Sequence, residues 1–521
     1  MKLISNWIKG RKKAKIRAYM RGFNSLVEED RSEIVSELRN ELANNPLGKK
    51  SLKSIFQTNI DSCYHQFLVY RLINPDFNKA ILSAVAHPEK RVYYPLPSLW
   101  RRVLEANGFK VPLVWNTLLW ILFNVKWYFV GFITGLLEFC RITLNNNKND
   151  SAVFFENLYP NTLVQSPNHE TQNIVEWFSV QSEASNVCNI YHSCKIASEF
   201  STNGKKVKFK KHGLPGLNRP YKVFEFFLWF AKKCIKTLFI QKDRLLFRQL
   251  IFQKIAQLAT KEELCQMYFF HNSGHILRPL WTYDAEKKGI KIIFYFYSTN
   301  ISSFKVKDKP HVQDYQWQVV SWSNYWVWNK QQSDFLNKFT LTQNNVIIKG
   351  PIPFNTSKEE LNLKFDKGQK TLLVFDVQPI RTTIYASKAP SVDYHSEENC
   401  VRFLEIISDF AIKKNLTVII KRKRENKFLS KRYFKRINRL VAENGWYDLD
   451  PQNDVFSVCN YLKPSASIAF PYTSTAVITK AYNIPTIYLD PTNKLDPSFL
   501  INNEIELLSS KEALLEWFGN I

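Results

Sequence analysis

No CxxC pair and no regular cysteine spacing occurs in this chain, although it holds eight cysteines, at 63, 140, 188, 194, 234, 265, 400 and 459. Neither a zinc ribbon nor a disulfide framework fits such scattered thiols, and a reducing compartment is expected. Glycine and proline are sparse, at 15 and 22 of 521 residues, and the chain is 45% apolar and 23% charged, which excludes a disordered or low-complexity polymer. The opening segment, MKLISNWIKGRKKAKIRAYM, is basic but has no continuous apolar core and no small-residue cleavage pattern, so export is not expected. Acidic residues are also short. Against 72 Lys plus Arg there are 46 Asp plus Glu, and the net charge of +26 draws the chain toward phosphate-rich partners: nucleic acid, anionic lipid or nucleotide-linked substrates. What the chain has in excess is aromatics, with 39 Phe, 23 Tyr and 14 Trp, more than a core needs, so some rings are expected at a membrane, a cleft or a ligand.

The length predicts two domains plus a smaller element. Residues 1–110 read as a satellite helical region, with spaced apolar positions in VEEDRSEIVSELRNELANN. Residues 111–149 contain the most apolar stretch, VPLVWNTLLWILFNVKWYFVGFITGLLEFC, interrupted by Lys126 and Glu138. A helix or hairpin lying on a membrane, a buried core pair and a transmembrane helix are all compatible with it. A second stretch, KVFEFFLWFAKKCIKTLFIQKDRLLFRQLIFQKIAQL, mixes apolar clusters with Lys and Arg at helical spacing, suiting either a leaflet-facing surface or a core helix with solvated lysines. Residues 150–345 read as one Rossmann-like domain, whose runs SAVFFENLYP, SNVCNIYHS, CQMYFFHNSG and IKIIFYFYSTN lack polar alternation and so predict parallel strands buried on both faces. Residues 346–370, with Pro351 and Pro353, read as a crossover linker. Residues 371–521 form a second αβ series: KTLLVFDVQP, a helix near Glu398–Lys413, LTVIIKRKR, another helix, then SASIAFPYTSTAVITKAYNIPTIYLDP.

That last segment carries the clearest chemistry. A strand ends at Phe470, Pro471 breaks it, and Thr473, Ser474 and Thr475 place hydroxyls and unpaired amides at a helix start, an arrangement that can hold a phosphate. The alternative is a simple helix cap. Asp490 ends the next strand, on the side where parallel sheets bind ligands. Asp376 ends the first strand of this half, followed by Gln378 and Arg381. It is placed to act as a base, a nucleophile or a ribose partner, or else to cap its own turn. In the run Lys421 to Arg424, alternation puts Lys421 and Lys423 on one face, where they can neutralise a leaving phosphate, with a solvated loop as the alternative. In the first half, His271, Asn272 and Ser273 are read on a turn after a strand, with Arg278, Asp284 and Glu286 beyond. His271 has the intrinsic pKa to take a proton from an acceptor hydroxyl. Glu286 is a further candidate acid unless it pairs with Lys287, and Tyr295 or Tyr297 can face the acceptor unless they fill the sheet. No metal site is expected. His271 and His275 are four apart but lack a partner Glu or Cys, and the D-x-D of Asp448 and Asp450 is read as a loop.

The order strand, Pro, hydroxyl cluster, helix, Asn-Ile-Pro, strand, Asp-Pro resembles the nucleotide-binding half of GT-B glycosyltransferases, above all bacterial surface-polysaccharide enzymes with a Pro-Phe-Thr-Ser hallmark. Here the matching residues are Pro471, Tyr472, Thr473 and Ser474, with Tyr in place of Phe. HNSGHILRPLWTYDAEKKGIKIIFYFYSTN and LLVFDVQPIR are similar to further segments of that family, so the resemblance spans about 150–500. It implies an α/β fold of GT-B type: two Rossmann-like domains facing a cleft, preceded by a helical region. It also implies a nucleotide-sugar donor held by Thr473, Ser474, Thr475, Lys421, Lys423, Gln378 and Arg381. Asp376, His271 and Glu286 are then the candidate catalytic groups, Asn272, Ser273 and Arg278 lie on the acceptor side, and no cofactor or metal is needed. The donor expected by analogy is a CMP-linked Kdo- or sialic-acid-like sugar ahead of UDP or GDP sugars. The acceptor is a capsule, lipopolysaccharide or other lipid-linked glycan at the anionic inner face of the cytoplasmic membrane, to which the enzyme attaches peripherally from the cytoplasm. Competing classes are a basic nucleic-acid-binding protein, which lacks any helix-turn-helix, RNP or zinc-finger pattern here, and a non-catalytic scaffold of the same fold.

Overall fold

The computed structural model describes residues 37–39, 41–43, 58–85, 89–144, 151–158, 163, 171–194, 199–217, 219–271, 277–299, 305–308, 317, 319–340, 344–353, 355–357, 370–379, 394–423, 430–451, 453–500 and 504–521. Residues 37–39 and 41–43 are helical, and after them the described residues form α1 (Asn59–Ile73), α2 (Pro75–Val85) and α3 (Ser98–Ala106). Thr58 caps α1 by accepting from the Asp61 amide at 3.1 Å. Leu72, Phe77, Ile81 and Trp100 are buried from water in a cluster that also takes in Leu245, Leu246 and Leu280, so this helical region is docked on the following domain. Most of VEEDRSEIVSELRNELANN lies outside the described residues.

The apolar stretch is one continuous helix, α4 (Leu113–Leu144), about 48 Å long at 1.5 Å per residue, so the hairpin alternative does not apply. Its length and composition suffice to cross a membrane, with 22% of its most apolar window buried. One side lies along α6 (Pro220–Phe239) and α7 (Gln241–Leu258), which meet at Ile240, where an extended backbone breaks the helical run. Glycine makes this contact possible: a Cβ on Gly131 would stand 2.5 Å from Phe247, and one on Gly135 would stand 2.1 Å from the Phe230 ring. The other side is bare. Val114, Leu118, Ile121, Leu122, Val125, Phe129, Ile133 and Leu137 follow one another at helical spacing and are exposed, and Tyr221, Phe224, Phe227, Leu228, Ile235 and Phe239 do the same on α6. The core-helix alternative for the second stretch therefore holds for α7, whereas the outer faces of α4 and α6 are not buried.

The first sheet contains β1 (Ala152–Phe155), β3 (Asn189–His192), β4 (Phe200–Thr202), β5 (Lys205–Phe209), β6 (Met267–His271), β7 (Lys291–Tyr295), β8 (Asn324–Val327) and β9 (Asn345–Ile348). Its order is β4-β5-β3-β1-β6-β7-β8-β9, parallel except for the β4 edge. All four sequence-predicted strands are present, and β1 and β6 are buried along their whole length because helices cover both faces. One boundary shifts. Residues 346–348 were expected in the linker, but the β-branched run of Asn345–Ile348 pairs in parallel with β8, so the first sheet extends to Ile348.

The second sheet is formed by β11 (Thr371–Phe375), β12 (Thr417–Lys421), β13 (Tyr447–Leu449), β14 (Ala466–Ala469), β15 (Thr486–Leu489) and β16 (Glu506–Leu508). Between them run α10 (Glu397–Lys414), α11 (Lys431–Asn444), α12 (Val455–Leu462) and α13 (Ser474–Ala481), and α14 (Lys511–Gly519) ends the chain. The order β13-β12-β11-β14-β15-β16 is all parallel and doubly wound, so the strand order reverses between β11 and β14. Ligands of such sheets bind where that reversal opens a crevice at the carboxyl ends. The two sheets face each other by those ends. The segment after β7 meets the segment after β15 through the Val306–Leu495 bridge, the Lys307 amide donating to Lys494 O at 2.8 Å, and a Lys305–Asp496 ion pair at 2.5 Å. A small ladder of β2 (Thr171–Asn173) and β10 (Asn355–Ser357) adds a second tie, with β10 against α12.

Candidate functional site

At the reversal of the second sheet, Phe375 is in register with Ala469, and the Phe470 amide donates to Phe375 O at 3.0 Å. Two stretches far apart in sequence, Asp376–Gln378 and Pro471–Ser474, therefore leave adjacent strands side by side. Pro471 ends the strand, and Tyr472 then takes a left-handed backbone with φ 61°, an outlier for a bulky residue that the fold must enforce. Its ring is held edge-on against Tyr488 with centroids 5.7 Å apart, and the Tyr488 hydroxyl donates to Thr473 O at 3.1 Å.

This reversal puts Thr473 at the start of α13 without making it a side-chain cap. Its hydroxyl donates to Phe470 O at 2.9 Å and shares a 3.1 Å hydrogen bond with the Thr475 hydroxyl. Thr473 and Thr475 are thus occupied within the turn, whereas the half-buried Ser474 hydroxyl and the amides of Ser474 and Thr475 meet no acceptor among the described residues. The helix start keeps two amides, one hydroxyl and its positive dipole end available for an anion.

Beside it, Gln378 is 3% exposed, and among the described residues neither its amide nitrogen nor its carbonyl oxygen has a partner. Buried amides are hydrogen-bonded as a rule, so this side chain has a donor and an acceptor to offer at the strand reversal. Asp376 is different. Its carboxylate accepts from the Tyr433 hydroxyl of α11 at 2.7 Å and from the Lys423 amide at 3.3 Å, and burial pushes its carboxyl up to about 6. Packed and doubly bonded, it positions the end of β12 and does not open onto the crevice. Lys421 is also internal: it donates to Arg422 O at 2.9 Å and Pro451 O at 3.0 Å, and burial lowers its ammonium to about 8. Lys423 is the exposed member of the pair. Arg381 lies outside the described residues.

The D-x-D is not a loop at its first carboxylate. Asp448 sits in β13, aligned next to β12, and is paired with Arg422 at 2.6 Å because neighbouring parallel strands present both residues at one end. Among the described residues no group of three or more His, Cys, Asp or Glu side chains is arranged to hold a metal. Asp490 also proves structural. It is fully buried, accepts from the Thr492 and Leu495 amides at 2.8 and 2.9 Å, and is bonded by the Tyr394 hydroxyl.

In the first domain three expectations change. His271 is the last residue of β6 rather than part of a turn. It is fully buried, its Nε2 lies 2.9 Å from Asn157 O, and burial lowers its pKa, which keeps the ring neutral at pH 7. Glu286, on α8 (Trp281–Lys287), pairs not with Lys287 but with Arg278, and also accepts from the Ser323 hydroxyl at 3.0 Å. Arg278, 2% exposed, donates further to Ser321 O at 2.8 Å and Thr282 Oγ1 at 3.0 Å, while its amide donates to Gln66 Oε1 at 3.0 Å. Arg278 and Glu286 therefore lock the helical region to the sheet and are not turned toward an acceptor. Tyr295 is 1% exposed within the sheet. Asn272, Ser273 and His275 lie outside the described residues.

Tyr433 and Glu156, which the sequence did not single out, emerge from the packing. Tyr433 is invisible in sequence because it joins Asp376 across a helix and a strand; Glu156 was an ordinary acid after a strand, with no motif around it.

Among solved structures, the UDP-GlcNAc 2-epimerase of Methanocaldococcus jannaschii is similar at 10% identity and TM-score 0.33, covering 71% of this chain and 92% of that one. A UDP-glucosyltransferase from Polygonum tinctorium has 9% identity, TM-score 0.33 and coverages of 66% and 80%. The Thermobaculum terrenum O-GlcNAc transferase has 7% identity, TM-score 0.31 and coverages of 95% and 90%. No curated protein matches the sequence. The family described as "Polysaccharide biosynthesis PFTS motif protein" matches residues 232–518, which include the whole second sheet and the Pro471–Ser474 turn. The chain, with its two facing doubly wound domains, belongs to this polysaccharide biosynthesis family.

Proposed function

We propose that this protein is a glycosyltransferase that moves a sugar from a nucleotide-activated donor to a lipid-linked glycan at a membrane surface. The observation that carries the reading is the juxtaposition, at one strand reversal, of an orphan buried amide at Gln378 and an uncapped helix start at Ser474. The donor phosphate sits on the Ser474 and Thr475 amides and the Ser474 hydroxyl, where the helix dipole stabilises the charge that grows as the sugar leaves. Gln378 holds the nucleotide, and Lys423 supplies positive charge at the crevice rim. A CMP-linked acidic sugar is the donor we put first. One helix end with two open amides matches a single phosphate, and the basic rim suits a sugar carboxylate; UDP and GDP sugars are the alternatives. With Asp448 engaged by Arg422, we propose that no metal takes part.

The acceptor side rests on α4 and α6. Because α4 is packed along α7, its bare apolar face and that of α6 fit a helix pair lying in the plane of a leaflet rather than crossing it. Exposed Lys126, Lys232 and Lys236 beside that face suit anionic headgroups. This supports peripheral attachment to the inner leaflet from the cytoplasm.

A thermal-shift panel of CMP, UDP and GDP tests the donor site. A ligand at a hundred times its Kd adds about 2.7 kcal/mol to the native state. A shift with one nucleotide that is lost in Ser474→Ala supports the reading. No shift with any of the three would make the protein a scaffold of this fold.

A further inference from the structure

The first sheet also reverses its order, between β1 and β6, and a cavity of about 220 Å³ lies there, lined by Arg141, Glu156, Lys211, His212, Arg248 and Trp281 among others. It is smaller than the roughly 300 Å³ at which pockets for whole small molecules begin. Its walls come from six places: the last turn of α4, the residue after β1, the segment after β5, α7, Phe270 of β6, and the start of α8. That segment is fixed. A Cβ on Gly213 would stand 3.0 Å from both Phe154 and Tyr268, and the Tyr268 hydroxyl donates to Gly213 O at 2.9 Å. Arg141 is clamped as well, donating from Nε to Glu138 at 2.7 Å and from Nη1 to Leu214 O at 2.9 Å. Its Nη2 is buried and has no partner among the described residues. Arg248 and Lys211 add two exposed cations, and Lys210 stands next to them in the chain. The acids nearby are Glu138, bound to Arg141, and Glu156, whose carboxyl burial pushes up to about 7 against the attraction of Arg248.

We propose that this pocket binds a phosphate group, with Arg141 Nη2, Lys211 and Arg248 as its donors. A preset guanidinium with one nitrogen unsatisfied, flanked by two further cations, is what a tetrahedral oxyanion requires. Arg141 is carried by the helix whose outer face is the apolar stripe, so a phosphate ester bound here can leave its acyl or prenyl chain along α4 and α6. That lipid source rests on the membrane reading above; free phosphate is the other source.

The test uses the full chain, phosphatidylcholine vesicles containing equal charge as phosphatidic acid or phosphatidylserine, and inorganic phosphate. Arg248→Gln removes an exposed donor without touching the fold, and Arg141→Gln removes the clamped one. The wild type is expected to prefer phosphatidic acid vesicles, and each variant to lose about tenfold or more of that affinity, the worth of one charged hydrogen bond to the phosphate, while its phosphatidylserine binding falls by no more than about fivefold, the worth of one cation near a charged surface. That result supports the lipid source. A thermal shift with inorganic phosphate that both variants lose, without a vesicle preference, supports the free anion. Equal loss on both vesicle types, or no phosphate response and no vesicle preference, overturns the proposal. The nucleotide shift through Ser474 is read separately, so failure here leaves the donor site standing, and failure there leaves the free-phosphate arm intact.

Discussion

Replacing Asp376 by Asn should make stability depend less steeply on pH, and the structure gives the size of the change. The carboxyl is buried at 4% exposure, and burial raises it from 3.8 to about 6 despite the Tyr433 hydroxyl, the Lys423 amide, Arg422 and Lys421, all of which favour the ionised form. In the unfolded chain it returns to about 3.9. The folded state therefore holds this proton more tightly than the unfolded state. Its contribution is fully present below about pH 4 and is lost as pH rises through 6. A shift of about two units at ~1.36 kcal/mol each is ~3 kcal/mol. Asp376→Asn abolishes this term but weakens the hydrogen bond with Tyr433, a pH-independent loss of about 1 kcal/mol. Urea unfolding of both proteins from pH 4 to 7.5, followed by tryptophan fluorescence, isolates the term, since other groups titrate in both. The stability of the variant relative to wild type should rise by about 3 kcal/mol across that range. A flat difference would mean that Asp376 is hydrated and the packing around Tyr433 is not as described.

Gln378→Leu should stabilise the nucleotide-free protein by about 1–3 kcal/mol, because it removes an unsatisfied buried amide, and should weaken nucleotide binding at the same time; a destabilised variant with unchanged affinity would remove Gln378 from the site. Arg278→Met leaves the partly exposed Glu286 carboxylate with the Ser323 hydroxyl alone and Ser321 O without its donor, and should cost about 3 kcal/mol, read as a lowered Tm with KM for the donor unchanged in whatever enzyme remains folded. Gly135→Val drives a side chain into the Phe230 ring and should cost about 1–3 kcal/mol of overpacking, read as increased protease cleavage between α4 and β1. Sugar transfer should proceed equally in excess EDTA, and restoration of an EDTA-lost rate by a divalent cation would assign Asp448 or Asp450 a metal.

The main buried strands and the turn at Pro471–Ser474 were legible in the chain, because each depends on local chemistry. Runs such as AVFF and TVII must be covered on both faces, proline ends a strand, and a hydroxyl cluster before an apolar periodic run opens a helix. The short strands β13 and β16 were not legible, since three residues carry no period and are held by their neighbours' edges. Nor did spacing reveal which charged residues would be available. Lys421, Asp376, Asp490, Arg278 and Glu286 all sit where a site was expected, yet each is bonded inside the protein.

The sequence alone settled what could be a strand, a helix or a turn, and the family to which such a series belongs, because these follow from neighbours along the chain. Tertiary structure decided which of the expected site groups keep donors or acceptors to offer: among the described residues Gln378 and Ser474 do, whereas Asp376, Lys421, Asp490, Arg278 and Glu286 are engaged by partners from other segments. Burial and pairing are properties of what packs around a residue. No spacing in the chain encodes them.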